Sequence, residues 1–152
     1  MTQLRLLALE VFGRLPGPLR RIAVRLLTPH YVLGAVVALR HGDDVLMLHS
    51  RHVRFGWALP GGLMRGGETP REALERELRE ELRLEVRLGP EATVVVVDPT
   101  ARRIDFVFEQ QLTERPAVHV DGTEVLEARW LPVSSELCDD IAREALTRLA
   151  RR

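Results

Sequence analysis

No lysine occurs in this chain of 152 residues, and all 22 basic side chains are arginine. That excludes Schiff-base chemistry on a lysine and any phosphate loop built around one. Cys138 is the only cysteine, which rules out an internal disulfide and a cysteine-based zinc site. A reducing, cytoplasmic setting is therefore expected. Net charge is missing too: 22 acidic residues balance the arginines, so no overall field draws the chain to nucleic acid or to a membrane. No apolar run approaches the roughly 18–20 residues of a membrane span, and no repeat, low-complexity tract or interdomain linker is visible. What is present, 45% hydrophobic and 29% charged residues, suits one domain with a sizeable core.

Residues 1–29 read as a helical extension and 30–152 as the main domain. The extension is rich in Leu and Arg and is expected to form two short amphipathic helices, Leu4–Arg14 and Leu19–Leu27, broken at Pro16-Gly17-Pro18. Glu10, Arg14, Arg20, Arg21 and Arg25 interrupt any stretch long enough for a signal-peptide core. Such helices would pack on the domain or on a second subunit, making a homodimer possible; a basic-flanked helix on a membrane surface is the alternative.

Beyond Pro29 the pattern changes to strands and turns. Strands are predicted at Tyr31–Leu39, Val45–His49, Thr93–Val97, Ile104–Leu112 and Glu127–Val133, with a short one near Trp57–Leu59 inside the loop Arg51–Gly67. Helices are predicted over Thr69–Leu82 and Ser135–Leu149. The first carries a capping box, with Thr69 at the N-cap, Pro70 in the first turn and Glu72 three residues after the cap. The second should turn Leu137, Ile141, Ala145, Leu146 and Leu149 to one side. Strands alternating with two helices predict an α/β sandwich around a mixed sheet.

The segment that asks for a chemical explanation is Gly61-Gly62-Leu63-Met64-Arg65-Gly66-Gly67-Glu68 and the helix after it. At about 100° per residue, Glu77, Glu80 and Glu81 fall in one sector and Leu74, Leu78 and Leu82 in the next. Glu72, Glu75, Arg76 and Arg79 take the remaining side. Three carboxylates so close repel one another, and a hard divalent cation such as Mg²⁺ or Mn²⁺ relieves that repulsion. Nearby glycines let the backbone approach and offer a carbonyl oxygen. Mg²⁺ retains waters and binds substrate phosphates, so this arrangement points to metal-assisted phosphate chemistry.

The spacing Gly62, five residues, Glu68, seven residues, Arg76-Glu77-Leu78, one residue, Glu80-Glu81, one residue, Arg83-Leu84 matches the signature of the Nudix hydrolases at every defined position but one. A match of that quality arises by chance in about one chain in 10⁵ at residue frequencies of roughly 7%. The chain therefore resembles that family, over everything except the N-terminal extension. The resemblance implies an α/β/α sandwich that hydrolyses a pyrophosphate linkage in nucleoside diphosphate derivatives, such as ADP-ribose, with Mg²⁺ or Mn²⁺. It implies that Glu77, Glu80, Glu81 and the Gly61 carbonyl ligate the metal, and that Glu68 pairs with Arg76 to support the loop. The catalytic base is then Glu77 or Glu80 on the helix, or Glu124 from the Asp121–Leu126 loop, where some relatives add an acidic ligand. Asp121 and Glu127 are rivals for that part. Arg83 stands where the family has glycine, so the helix either accepts a left-handed arginine or runs on toward Glu85.

The candidate substrate contacts are Arg51, Arg54 and Arg65 toward phosphates and Phe55 and Trp57 toward a base; Phe106 and Phe108 could also stack on one, but each aromatic reads first as core packing and each arginine first as solvated surface. Pro99, about 16 residues past the signature, is a feature of ADP-ribose-type relatives. A triphosphatase acting on damaged nucleotides and a non-catalytic nucleotide-binding module are the alternatives within the same fold. His49 and His52 lack a third ligand and read as packing or surface residues rather than a zinc site. The expected partner is a small nucleotide, with no nucleic acid.

Overall fold

The computed structural model describes Glu10 and residues 12–51, 56–120, 122–133 and 138–152. Two compact units divide it, Met1–Tyr31 and Val32–Arg152. In the first, helix α1 (Gly17–Leu27) begins at the predicted Pro-Gly-Pro break, with Pro16 as its N-cap. It ends where the Thr28 hydroxyl and N–H both donate to the Val24 carbonyl, at 2.7 and 2.9 Å. Most of the expected helix Leu4–Arg14 lies outside the described residues.

The second unit is built on a mixed sheet of β1 (Val32–His41), β2 (Asp44–Ser50), β3 (Gly61–Leu63), β4 (Val94–Asp98), β5 (Arg103–Gln111) and β6 (Val125–Pro132). The strand order is β4-β5-β1-β2-β6, with β3 also on β1. Among these strands β1 and β5 are the parallel pair, and the other pairings are antiparallel. The run from Gly34 to Leu39 is apolar throughout because both faces of β1 are covered. Ala35, Val37 and Leu39 pack with Leu74, Leu78 and Leu82 of helix α2 (Pro70–Leu82). Val36 and Ala38 pack with Ala142, Ala145, Leu146 and Leu149 of helix α3 (Asp140–Ala150). This is the α/β/α sandwich that the resemblance implies.

Two elements depart from expectation. Near Trp57–Leu59 there are only isolated bridges, Leu48 to Ala58 and Trp57 to Cys138, and the strand lies later, at Gly61–Leu63. The reason is non-local. β1 and β2 pair only beside their turn, at Arg40–Val45 and His41–Asp44, and then diverge. The segment 57–63 fills the gap, Ala58 bonding to Leu48 of β2 and Gly61–Leu63 pairing with Gly34–Val36 of β1. Helix α3 starts at Asp140 instead of Ser135, because the Asp139 carboxylate caps it by accepting the Ala142 N–H at 2.7 Å; residues 134–137, Leu137 among them, lie outside the described residues. On that helix Ala142 is buried, and Ile141 is only half-buried.

Helix α2 has the predicted capping box, with the Thr69 N–H donating to the Glu72 carboxylate at 2.8 Å and the Thr69 hydroxyl accepting the Glu72 N–H at 3.3 Å. Its other end settles the question posed by Arg83. That residue adopts the left-handed conformation (φ 51°, ψ 36°) and the helix stops at Leu82. The Leu84 N–H returns to the Leu78 carbonyl at 3.0 Å, and the Leu84 side chain is buried. Burying Leu84 and satisfying the end carbonyls offsets the roughly 1 kcal/mol that a Cβ costs there.

Candidate active site

The wedged strand β3 brings Gly61 and Gly62 against β1 and beneath α2. Gly61 has φ +140°, and a Cβ there would lie 2.1 Å from the Ala35 carbonyl oxygen and 2.7 Å from the Val36 Cα. Only glycine fits so close to backbone. A Cβ on Gly62 would lie 2.6 Å from both Cδ and Oε1 of Glu77. The Glu77 carboxylate thus occupies the space that a side chain at 62 would fill.

Arg76 organises the rest. Its Nε and Nη2 donate to the two Glu68 oxygens at 2.7 and 3.0 Å, and Nη2 also donates to the Leu63 carbonyl at 3.1 Å. Its Nη1 donates to Glu77 Oε1 at 2.7 Å and to Glu80 Oε2 at 3.3 Å. The side chain is 12% exposed, and these bonds join the loop, the end of β3 and the carboxylates of α2 in one network. The Arg65 N–H adds a 2.8 Å bond to Glu68. With Arg76 and this N–H upon it, the Glu68 carboxyl is held down at about 2, while the same pairing pushes the Arg76 guanidinium up.

Two readings of the helix change. The Glu68–Arg76 pair forms as implied, but Arg76 does not lie on a separate side of α2: four residues before Glu80, it is that carboxylate's neighbour on the helix surface and also reaches Glu77. The sector of Glu77, Glu80 and Glu81, acidic by sequence, also receives a cation from outside the helix. Glu80 accepts a second guanidinium, that of Arg65, at 3.2 Å.

Glu77, Glu80, Glu81, Gly61 and Gly62 line one cleft of ≈1240 Å³, and Glu124, from the loop before β6, lines it too. Carboxylates and a backbone carbonyl are hard oxygen donors, the set that Mg²⁺ or Mn²⁺ takes, and the Gly62 cradle keeps Glu77 among them. Among the described residues, no three His, Cys, Asp or Glu side chains already converge into a cage that could hold a metal ion. Arginines hold one oxygen each of Glu77 and Glu80 instead.

Of the expected substrate contacts, Arg65 lines the cleft. Arg51 is not among its walls, and its Nε donates to the Thr123 carbonyl at 2.7 Å. Trp57 packs on the α3-side core, with Arg129 5.3 Å above its ring and His49 beside it. Phe108 is 3% exposed, and Phe106 packs against the α2-side core. Phe108 is thus a core residue, while Trp57 and Phe106 are half-buried and pack against the core, because a sheet covered on both faces takes large side chains on each. Arg54, Phe55, His52 and Asp121 lie outside the described residues. Glu127 pairs with Arg129 on β6, away from the cleft walls.

Another set of cleft residues was not foreseen: Asp98, Arg103, Asp139, Asp140 and Arg143. Behind Arg103 stands Asp105, 1% exposed, which accepts from Arg103 Nε at 2.7 Å and from Nη2 at 2.7 Å. A Cβ on Gly34 would come within 2.3 Å of that carboxylate. A charged residue at inward parity in the strand Arg103-Ile104-Asp105-Phe106-Val107-Phe108 was the available signal, since a carboxylate beside Val107 demands a partner. Burial pushes the Asp139 carboxyl up, and the Ala142 N–H that it caps pulls it partly back.

The NUDIX domain family model matches residues 29–149. Human 8-oxo-dGDP phosphatase NUDT18 is 36% identical over 110 residues, covering 69% of this chain and 33% of that protein. Nucleoside triphosphatase NudI of Enterobacter sp. (strain 638) is 42% identical over 67 residues, 44% of this chain and 38% of that protein. This chain thus spans about a third of the length of the curated relatives it matches. Among solved structures, the MutT protein from Methanosarcina mazei Go1 superposes with a TM-score of 0.65 at 22% identity, over 82% of this chain and 96% of that one.

Proposed function

This chain belongs to the Nudix family, and from that premise we propose that it is a Mg²⁺- or Mn²⁺-dependent hydrolase of a phosphoanhydride bond in nucleoside di- or triphosphates. The observation that carries the reading is the Gly62 cradle: a carboxylate packed where no Cβ exists, in one cleft with Glu80, Glu81 and Glu124. The substrate class rests on the two sequence relatives, whose names specify a nucleoside diphosphate and nucleoside triphosphates. A nucleotide sugar such as ADP-ribose is the second reading. It is favoured by Pro99, which follows the cleft residue Asp98 in the β4–β5 turn.

Glu77, Glu80, Glu81 and the Gly61 carbonyl would hold the cation. Bound there, it would neutralise developing phosphate charge and lower the pKa of a water. The chain's own residues do the rest. Arg76 fixes the direction of Glu77 and ties it to the loop. Glu77, Glu80 or Glu124 accepts the proton of the attacking water, each lying in the same cleft. Arg65 faces the phosphates. The mixed-charge wall of Arg103, Asp139, Asp140 and Arg143 presents both donors and acceptors, which suits the uncharged nucleoside part better than a second phosphate.

The test is turnover of nucleoside diphosphates, triphosphates and nucleotide sugars with Mg²⁺, scored by phosphate release with phosphatase coupling where needed. Glu80→Gln and Glu81→Gln are each expected to lower activity at least about a hundredfold with the fold retained. Unchanged rates in both would remove the acidic edge from the chemistry.

A further inference from the structure

Arg65 and Arg76 both reach the same oxygen of Glu80, at 3.2 and 3.3 Å, yet they are held very differently. Arg76 is 12% exposed and is fixed by two Glu68 oxygens, Glu77 and the Leu63 carbonyl. Arg65 is anchored through its backbone, by its N–H to Glu68 and its carbonyl to the Glu68 N–H at 3.1 Å. Its side chain is 63% exposed, and among the described residues its guanidinium bonds to Glu80 alone, itself 50% exposed. Gly66 and Gly67, the latter at φ +90°, follow it. Arg76 is therefore a permanent part of the site and Arg65 a detachable one.

We propose that Arg65 is an exchanging cation: it neutralises Glu80 until a divalent ion occupies the acidic edge, then transfers its guanidinium to a phosphate of the nucleotide. The inference rests on the reading of that edge as a metal site. Like charges so close repel whichever carboxylate oxygen the ion takes, and an exposed ion pair is weak enough to yield. The released guanidinium stays at the cleft because its backbone remains pinned to Glu68, and a planar fork of donors matches a phosphate. Ion and nucleotide should consequently bind with positive coupling, the ion freeing the residue that the phosphate needs.

The experiment measures Mn²⁺ binding to the full chain by electron paramagnetic resonance of free Mn²⁺. It also measures binding of α,β-methylene-dGDP, which cannot be cleaved at that bridge, by calorimetry with and without Mn²⁺. Arg65→Gln is expected to bind Mn²⁺ about two- to fivefold more tightly, the worth of an exposed pair. The same variant should bind the nucleotide about tenfold more weakly in Mn²⁺, with Arg65→Lys intermediate. Arg79→Gln, an equal charge change on the exposed side of α2, should alter neither constant by as much as twofold. Mn²⁺ affinity that is unchanged or weaker in Arg65→Gln, with the wild type binding the ion, overturns the exchange while leaving the metal site intact. A wild type that takes up no Mn²⁺ overturns the metal site, and the exchange with it.

Discussion

Replacing Gly62 by alanine separates the chemistry from the fold. The new Cβ would stand 2.6 Å from Glu77 Cδ and Oε1 and 3.0 Å from Cγ, so the carboxylate must retreat by about 0.8 Å to reach ordinary contact. The obstacle is a side-chain end, and the backbone at 62 is not left-handed. The chain can therefore yield by rotating Glu77, at a strain of about 1 kcal/mol, while weakening its 2.7 Å bond from Arg76. The combined loss should be about 1–2 kcal/mol, a fall of roughly 3–8 °C in melting temperature for a chain of this size. Activity should suffer far more, since misplacing a reacting group by about 1 Å costs around a hundredfold. Gly61→Ala is the counterpart. There the obstacle is the Ala35 carbonyl at 2.1 Å and φ is +140°, so backbone must move and the loss should exceed about 3 kcal/mol. Thermal melts beside kcat and Mn²⁺ affinity compare the two. A Gly62→Ala protein with wild-type turnover and Mn²⁺ affinity would refute the placement of Glu77 in the reacting cluster.

Other perturbations read separate parts of the structure. Arg83→Gly relieves a left-handed residue with a Cβ and should raise stability by about 0.5–1 kcal/mol in urea titration, with kcat unchanged. Arg103→Ala leaves Asp105 buried without its guanidinium, and a loss of about 3 kcal/mol in the same assay is expected. The Glu68 carboxyl sits at about 2, below its ordinary value near 4.5, so its pairing stabilises the fold fully above pH 4.5 and fades as pH falls toward 2. The stability gap between wild type and Glu68→Gln should therefore be constant from pH 7 to 5 and shrink between pH 4.5 and 2. A gap that widens there contradicts the pairing.

What could be read without coordinates was whatever lies within one helix or one turn. The capping box at Thr69, the leucine stripe of α2 and the shared sector of Glu77, Glu80 and Glu81 follow from a period of 3.6 residues and side chains three or four apart. The near-continuous apolar run of β1 likewise announces a strand with two buried faces. The extent of the Arg76 network, the strand at Gly61–Leu63 and the wall of Arg103, Asp139 and Arg143 were decided only by the tertiary structure. Each depends on pairing between segments far apart in the chain, where no local spacing records which residues meet. The same holds for Trp57, Phe106 and Phe108: an aromatic has the same chemistry beside a base or inside a core, and only the packing of two helical layers on the sheet buried Phe108 and set Trp57 and Phe106, half-buried, against the core.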